Sequence, residues 1–135
     1  MKTSKIYLPD TNVIIRYLVS DNQEMAIKAK DFFDKVKNGI FKAKIIESVI
    51  AECIYVLIKI YKVPKDEASK SLIDVLLYKG ITNEDRNELI NALNIFTNER
   101  LDIVDCVLYA KADNKETDVF TFDNQLMKAL EPKKD

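Results

Sequence analysis

Brief apolar runs that stop at a proline or lead into an aspartate alternate along this chain with longer stretches of helical period. That alternation constrains the fold more than any other feature. Residues 5–8 read as a short strand stopped by Pro9, and residues 12–19 as a short helix. Over residues 23–38 the apolar positions Ala26, Ala29, Phe33 and Val36 recur at three- and four-residue steps, an amphipathic helix that Gly39 ends. Residues 44–46 read as a second strand. Ser48 is placed to cap the next helix, which runs to Tyr61 and is apolar on most faces, as a buried helix is. Pro64, with Asp66 and Glu67 in the first turn, opens a helix to Tyr78. Ile81 reads as a minimal strand, and Thr82 or Asn83 as the cap of a helix over 84–98. A helix from Asp102 to about Lys115, a last strand over 118–121 and a last helix over 124–130 complete the chain. Strands alternating with helices predict an α/β fold with a mainly parallel sheet, and no linker or repeat divides the 135 residues, so a single domain is expected.

Composition narrows the chemistry. Histidine is absent, which removes every mechanism that needs an imidazole. With only Gly39 and Gly80 available, neither a phosphate-binding glycine loop nor a dinucleotide fingerprint can be built. Lys plus Arg number 21 against 22 Asp plus Glu, so contact with a polyanion must come from a local patch. Cys53 and Cys106 fit no paired-cysteine motif and read as small core hydrophobes, which favours a reducing compartment. The longest apolar run, residues 49–60, is broken by Glu52 and Lys59 and is too short to span a bilayer. No signal-peptide core fits the N-terminus, so a soluble, cytoplasmic protein with no membrane contact is expected.

Carboxylates, hydroxyls, amides and lysines remain for chemistry. In parallel α/β sheets the ligand crevice lies beyond the carboxyl ends of the strands. The strand at 5–8 leads to Asp10 and the strand at 118–121 to Asp123; if the two are neighbours, both carboxylates face one crevice. Each aspartate also reads as a helix N-cap. Glu52 lies within an apolar segment, where an unpaired buried carboxylate is costly. Ser48, Glu52, Tyr55 and Lys59 form one polar stripe at helical spacing, which either faces solvent or lines a cleft with a cation on Glu52. Asp102 and Asp105 read as a capping pair or as two carboxylates on one helix face. Gathered carboxylates repel, by about 4 kcal/mol at 4 Å and an effective dielectric near 20, unless a hard cation neutralises them. An all-oxygen set without histidine or paired thiolates suits magnesium or manganese better than zinc.

Four segments, LPDTNVIIRYL at 8–18, SVIAECIYVL at 48–57, LDIVDCVLYAKA at 101–112 and VFTFDNQL at 119–126, together resemble the PIN-domain family. Within it they are similar to the VapC-type toxins of bacterial and archaeal toxin–antitoxin systems. The resemblance covers nearly the whole chain. It implies a three-layer α/β/α sandwich around a central, mainly parallel sheet, and a metal-dependent endoribonuclease. Carried over by position, the catalytic and metal-holding acids are Asp10, Glu52, Asp105 and Asp123, and the supporting residues are Thr11, Asn12, Asp102 and Thr121. The implied cofactor is Mg²⁺ or Mn²⁺, activating water for in-line attack on RNA phosphodiesters and leaving 5′-phosphate and 3′-hydroxyl ends. The implied partners are RNA, a cognate antitoxin and a second copy in a homodimer.

Lys28, Lys30, Lys35, Lys37, Lys42 and Lys44 make residues 28–44 locally basic, either for RNA or as ordinary solvated surface. Sequence-specific RNA reading needs exposed bases stacked on aromatics, and none of the twelve Tyr and Phe residues is singled out for that task. Two other readings stand beside the toxin: a PIN-type nuclease that processes RNA without an antitoxin, and a non-catalytic binding module whose acids are caps and a solvated stripe.

Overall fold

The computed structural model describes residues 5–19, 24–112 and 116–131. The chain divides into two compact units, Met1–Arg86 and Asn87–Asp135.

In the first unit the sheet is small and parallel. Strand β1 (Ile6–Tyr7) pairs with β2 (Lys42–Ala43) in the register Ile6 to Lys42 and Tyr7 to Ala43, and Ala43 makes a parallel bridge to Ile81. The expected second strand thus lies two residues earlier than residues 44–46. The Lys44 N–H still donates to Tyr7, but the Ile45 peptide is taken over by the Asn83 side chain, so the ladder ends there. Asn83 therefore does not cap the helix that follows. Ile81 is the minimal strand the sequence predicts.

Helix α1 (Thr11–Leu18) buries Ile14 and Ile15 and packs against α2 (Glu24–Lys37) and α3 (Glu47–Tyr55). Helix α2 buries Ala26, Ala29, Phe33 and Val36, the four positions its periodicity selects; Gln23, expected to begin it, lies outside the described residues. Gly39 ends the helix at φ +79, a left-handed conformation that glycine adopts without a Cβ clash. Gly80 is required for a different reason: a Cβ there would sit 2.1 Å from the Phe41 carbonyl oxygen. The Gly80 N–H donates to Val36 at 2.8 Å, which brings the segment before Ile81 against the end of α2.

Helix α3 begins at Glu47, one residue before Ser48, and Ile46 at its N-cap makes no side-chain cap. The expected Ser48 cap is not formed. After Tyr55 the helix widens into a π-helical segment, Val56–Ile60, and Lys62 at φ 58 turns the chain out. The helix is not buried all round: Ile50, Cys53, Ile54 and Leu57 face the core, whereas Ser48, Glu52, Tyr55, Lys59 and Ile60 are exposed. Helix α4 (Lys65–Leu76), entered from Pro64 and carrying Asp66 and Glu67 in its first turn, packs on α3 and the π-helical segment and ends two residues before Tyr78. Fully buried Phe33, Ile45, Ile50, Leu72 and Leu76 belong to this core, each side chain contributing about 1.5–3 kcal/mol through removal from water.

The second unit is helical. Helix α5 (Arg86–Asn98), opening at the boundary, buries Leu89, Ala92 and Leu93; α6 (Ile103–Lys111) buries Ile103, Cys106, Val107 and Ala110. Lys111 on α6 pairs with Glu88 on α5 at 3.0 Å, and α6 packs on α7 (Asn124–Leu130), where Leu126 is buried. Helix α6 stops short of the expected end near Lys115, which lies outside the described residues. The expected strand at 118–121 forms no ladder among the described residues and is preceded by one bridge residue, Thr117. Side chains supply partners for this backbone, as Asp118 does for Val119 and Thr121 for Asp123, and such local bonds compete with sheet pairing. No helix among the described residues is long and apolar enough to cross a membrane.

Candidate active site

In the first unit, Asp10 follows β1 at the start of α1. It is the N-cap, at φ −87 and ψ 173, and its Oδ1 accepts the Val13 N–H at 3.0 Å. The capping role expected of it is therefore real. A carboxylate has two oxygens and several lone pairs, so a cap held by Oδ1 does not exclude Oδ2 from a cation.

Thr11, the first residue of α1, hydrogen-bonds the sulfur of Cys53 on α3, and Cys53 is fully buried. Burial pushes the Cys53 thiol up to about 12; the negative charge of Glu52 adds to this, the Thr11 bond opposes it, and the charge of Asp10 contributes last. Asp10, Thr11, Glu52 and Cys53 are thus electrostatic neighbours where α1 meets α3. The Glu52 side chain is exposed along with the whole Ser48–Glu52–Tyr55–Lys59 stripe, and Asn12 is exposed on α1. Sequence reading took Cys53 only as a core residue. Its role as the packing link between the Asp10 and Glu52 segments carries no sequence signal.

In the second unit the acids lie around the first turns of α6 and α7. Asp102 occupies the N-cap of α6, but its side chain makes no cap hydrogen bond, so the expected capping pair with Asp105 is not formed. Asp105, in the first turn, holds its proton more tightly than an ordinary carboxylate, first through burial, then through the charge of Asp123, then through that of Asp102. Asp123 caps α7, its Oδ1 accepting the Leu126 N–H at 3.0 Å, while its own N–H donates to Thr121 Oγ1 at 3.0 Å. Thr121 therefore fixes the backbone that carries Asp123. Phe120 and Phe122 flank Thr121, stand 90% and 87% exposed, and meet edge to face at 5.4 Å between ring centres.

The donor set fits a hard divalent cation in kind: carboxylate oxygens, mutually repelling, with no histidine anywhere in the chain. Among the described residues, however, no three acidic or thiol side chains converge at metal-binding distance. Capping bonds direct one oxygen each of Asp10 and Asp123 to its own helix.

The lysine-rich segment is partly neutralised within α2. Lys28 pairs with Glu24 at 3.8 Å, Lys30 with Asp34 at 2.8 Å and Lys35 with Asp31 at 3.2 Å, all solvent-facing pairs one turn apart. Beside Asp10 a groove of about 420 Å³ opens between α1 and α2.

A family model for the PIN domain matches residues 7–131, spanning both units and all four acidic segments. The chain belongs to the PIN-domain family. PIN domains are generally nucleases that act on RNA with divalent metal ions, and the α/β architecture with a small parallel sheet accords with this membership. No curated protein and no solved structure matches the chain.

Proposed function

We propose that this PIN domain is an endoribonuclease dependent on Mg²⁺ or Mn²⁺, acting as the toxin of a toxin–antitoxin pair. Asp10, Glu52, Asp105 and Asp123 hold the cation in the three-layer α/β/α arrangement of the family, with Thr11, Asn12, Asp102 and Thr121 in support. The reading includes an RNA substrate, a cognate antitoxin and a homodimer in the cytoplasm. The observation that carries it is the PIN-domain match over residues 7–131, which takes in all four acidic segments; Asp105 adds to it, because burial and the charges of Asp123 and Asp102 oppose its ionisation. A divalent cation beside Asp105 would offset the repulsion among these three carboxylates.

When bound, the cation supplies positive charge against the phosphate and acidifies water. The protein's own part is positional. Thr121 holds the Asp123 backbone, Asp102 keeps its side chain out of helix capping, and the Thr11–Cys53 contact joins the segment of Asp10 to that of Glu52. With no imidazole to assist a 2′-hydroxyl, hydrolysis by water is the favoured course, with 5′-phosphate and 3′-hydroxyl products.

The test is cleavage of mixed cellular RNA by the purified protein in Mn²⁺, with EDTA and Asp105→Asn as controls, alongside thermal unfolding with and without Mn²⁺. Cleavage lost in both controls is expected, together with a metal-dependent stabilisation of about 2.7 kcal/mol at a hundredfold excess over Kd. Absence of both cleavage and stabilisation would overturn the nuclease reading. Growth arrest on expression, relieved by a neighbouring small gene product, tests the toxin assignment; an active nuclease that leaves growth untouched would favour RNA processing without an antitoxin.

A further inference from the structure

We infer that the first unit carries a lysine anchor for a nucleic-acid backbone at the end of its sheet away from Asp10, a contact separate from the cleavage centre; the inference rests on the nuclease reading above. The structure sorts the basic stretch into two kinds of lysine. Lys28, Lys30 and Lys35 are paired with acids inside α2. Lys37 and Lys42, joined by Lys5 and Lys79 from elsewhere in the chain, make no ion pair among the described residues, and all four are exposed.

The fold draws these four to one end of the sheet. Lys5 precedes β1, Lys42 opens β2, and Lys79 lies two residues before Ile81, which bridges β2 at Ala43. The pairing is parallel, so each of the three stands where a strand begins. Neighbouring strands are about 4.8 Å apart, which puts the three backbone positions within roughly 10 Å. Lys37 comes in from the end of α2. Its Nζ lies 5.7 Å from the centre of the Tyr78 ring, and the Lys79 side chain runs over Gly39, where a Cβ would meet its Cδ at 2.9 Å.

Charge selects the occupant. Of the two acids whose charge reaches Tyr78, Asp34 is held by Lys30, which leaves exposed Asp74 against four lysines. Asp10 comes five residues after Lys5, about 16 Å of extended chain and twice the Debye length of about 8 Å at physiological salt, so it does not cancel them. Lysine is depleted at protein–protein interfaces and holds phosphate as a point charge, so a cluster of lysines alone suits a phosphate backbone better than an acidic polypeptide. Such a contact adds affinity and orients the strand without reading its sequence. An acidic cleavage centre repels a phosphodiester chain, and the anchor supplies the attraction that centre lacks.

The experiment measures binding of fluorescent 20-nucleotide single-stranded RNA and DNA by anisotropy in EDTA, across salt concentrations. Lys42→Gln with Lys79→Gln removes two charges of the anchor. Lys62→Gln with Lys70→Gln removes two exposed charges outside it and is the control. The anchor pair should lose at least fivefold in affinity, equally for RNA and DNA, and its dependence of log Kd on log salt should be shallower by about 1.4, at about 0.7 per lysine. The control pair should stay within twofold of the native protein. Affinity and salt slope equal to those of the control would overturn the anchor and leave the nuclease reading intact. Lysine-dependent binding in a protein that shows no metal-dependent cleavage would uphold the anchor and sink the nuclease. If the anchor pair bound both oligonucleotides like the native protein but lost binding to a fluorescent 20-residue polyglutamate, the lysines would serve an acidic polypeptide and the inference would be wrong.

Discussion

Asn83 grips the backbone of Ile45 with both ends of its amide: Oδ1 accepts the Ile45 N–H at 2.8 Å, and Nδ2 donates to the Ile45 carbonyl at 2.7 Å. Both residues are buried, and Ile45 lies between β2 and the start of α3, the helix that carries Glu52 and Cys53. Asn83→Ala leaves a buried donor and acceptor without partners, so it should cost about 2–4 kcal/mol in urea unfolding. A loss below half a kcal/mol would show that water replaces the amide there.

Asp105 gives a pH dependence of definite sign. Its folded pKa lies above the ordinary value of 3.8, so its favourable contribution is present below that pH and is lost as pH rises through the folded value. Asp105→Asn, neutral throughout, should therefore melt higher than the native protein at neutral pH in EDTA. The gap should narrow as pH falls towards 3.8. Melting curves across pH check this, and a gap that does not change with pH would assign the effect to packing instead of charge.

Cys53 should be chemically silent in the folded state. Its thiol is fully buried and pushed up to about 12, leaving almost no thiolate at pH 8. Cys106 is likewise buried, with its Sγ 3.9 Å from the Leu101 carbonyl oxygen. Iodoacetamide at pH 8 should label neither cysteine until urea unfolds the protein. Rapid labelling of Cys53 in the native state would mean that the α1–α3 contact opens readily.

Ser69 presents the opposite situation to Asn83. Its hydroxyl is buried in α4 without a hydrogen-bond partner, a desolvation cost with no return. Ser69→Ala removes that group and favours helix, so it should be neutral or stabilise by up to about 1 kcal/mol. Chemical denaturation reads the change directly; a loss above 1 kcal/mol would reveal a partner bound to the hydroxyl in solution.

Helices were far more legible than strands. The buried face of α2 and the bounds of α7 follow from periodicity and capping residues, because those rules act within a few residues of chain. Strands β1 and β2 are two residues each, and their register depends on partners far away in sequence: Tyr7 on Lys44, Gly80 on Ala43, Asn83 on Ile45. No local pattern encodes such pairing. Ser48 failed as a cap for the related reason that the chain entering α3 is positioned by Asn83, so the helix starts at Glu47.

By itself the sequence determined the kind of chemistry open to this protein. An absent histidine, two glycines and four acidic segments in a PIN-domain order are properties of covalent structure and need no folding to be true. Only tertiary structure decided how each acid is used. Asp102 is left out of helix capping, Asp105 is drawn towards its proton by burial and by Asp123, and Asp10 gives one oxygen to the cap of α1. Sequence fixes which groups carry charge, but the free energy of that charge depends on the water, dipoles and other charges around it, and those are brought there by parts of the chain that no local spacing connects.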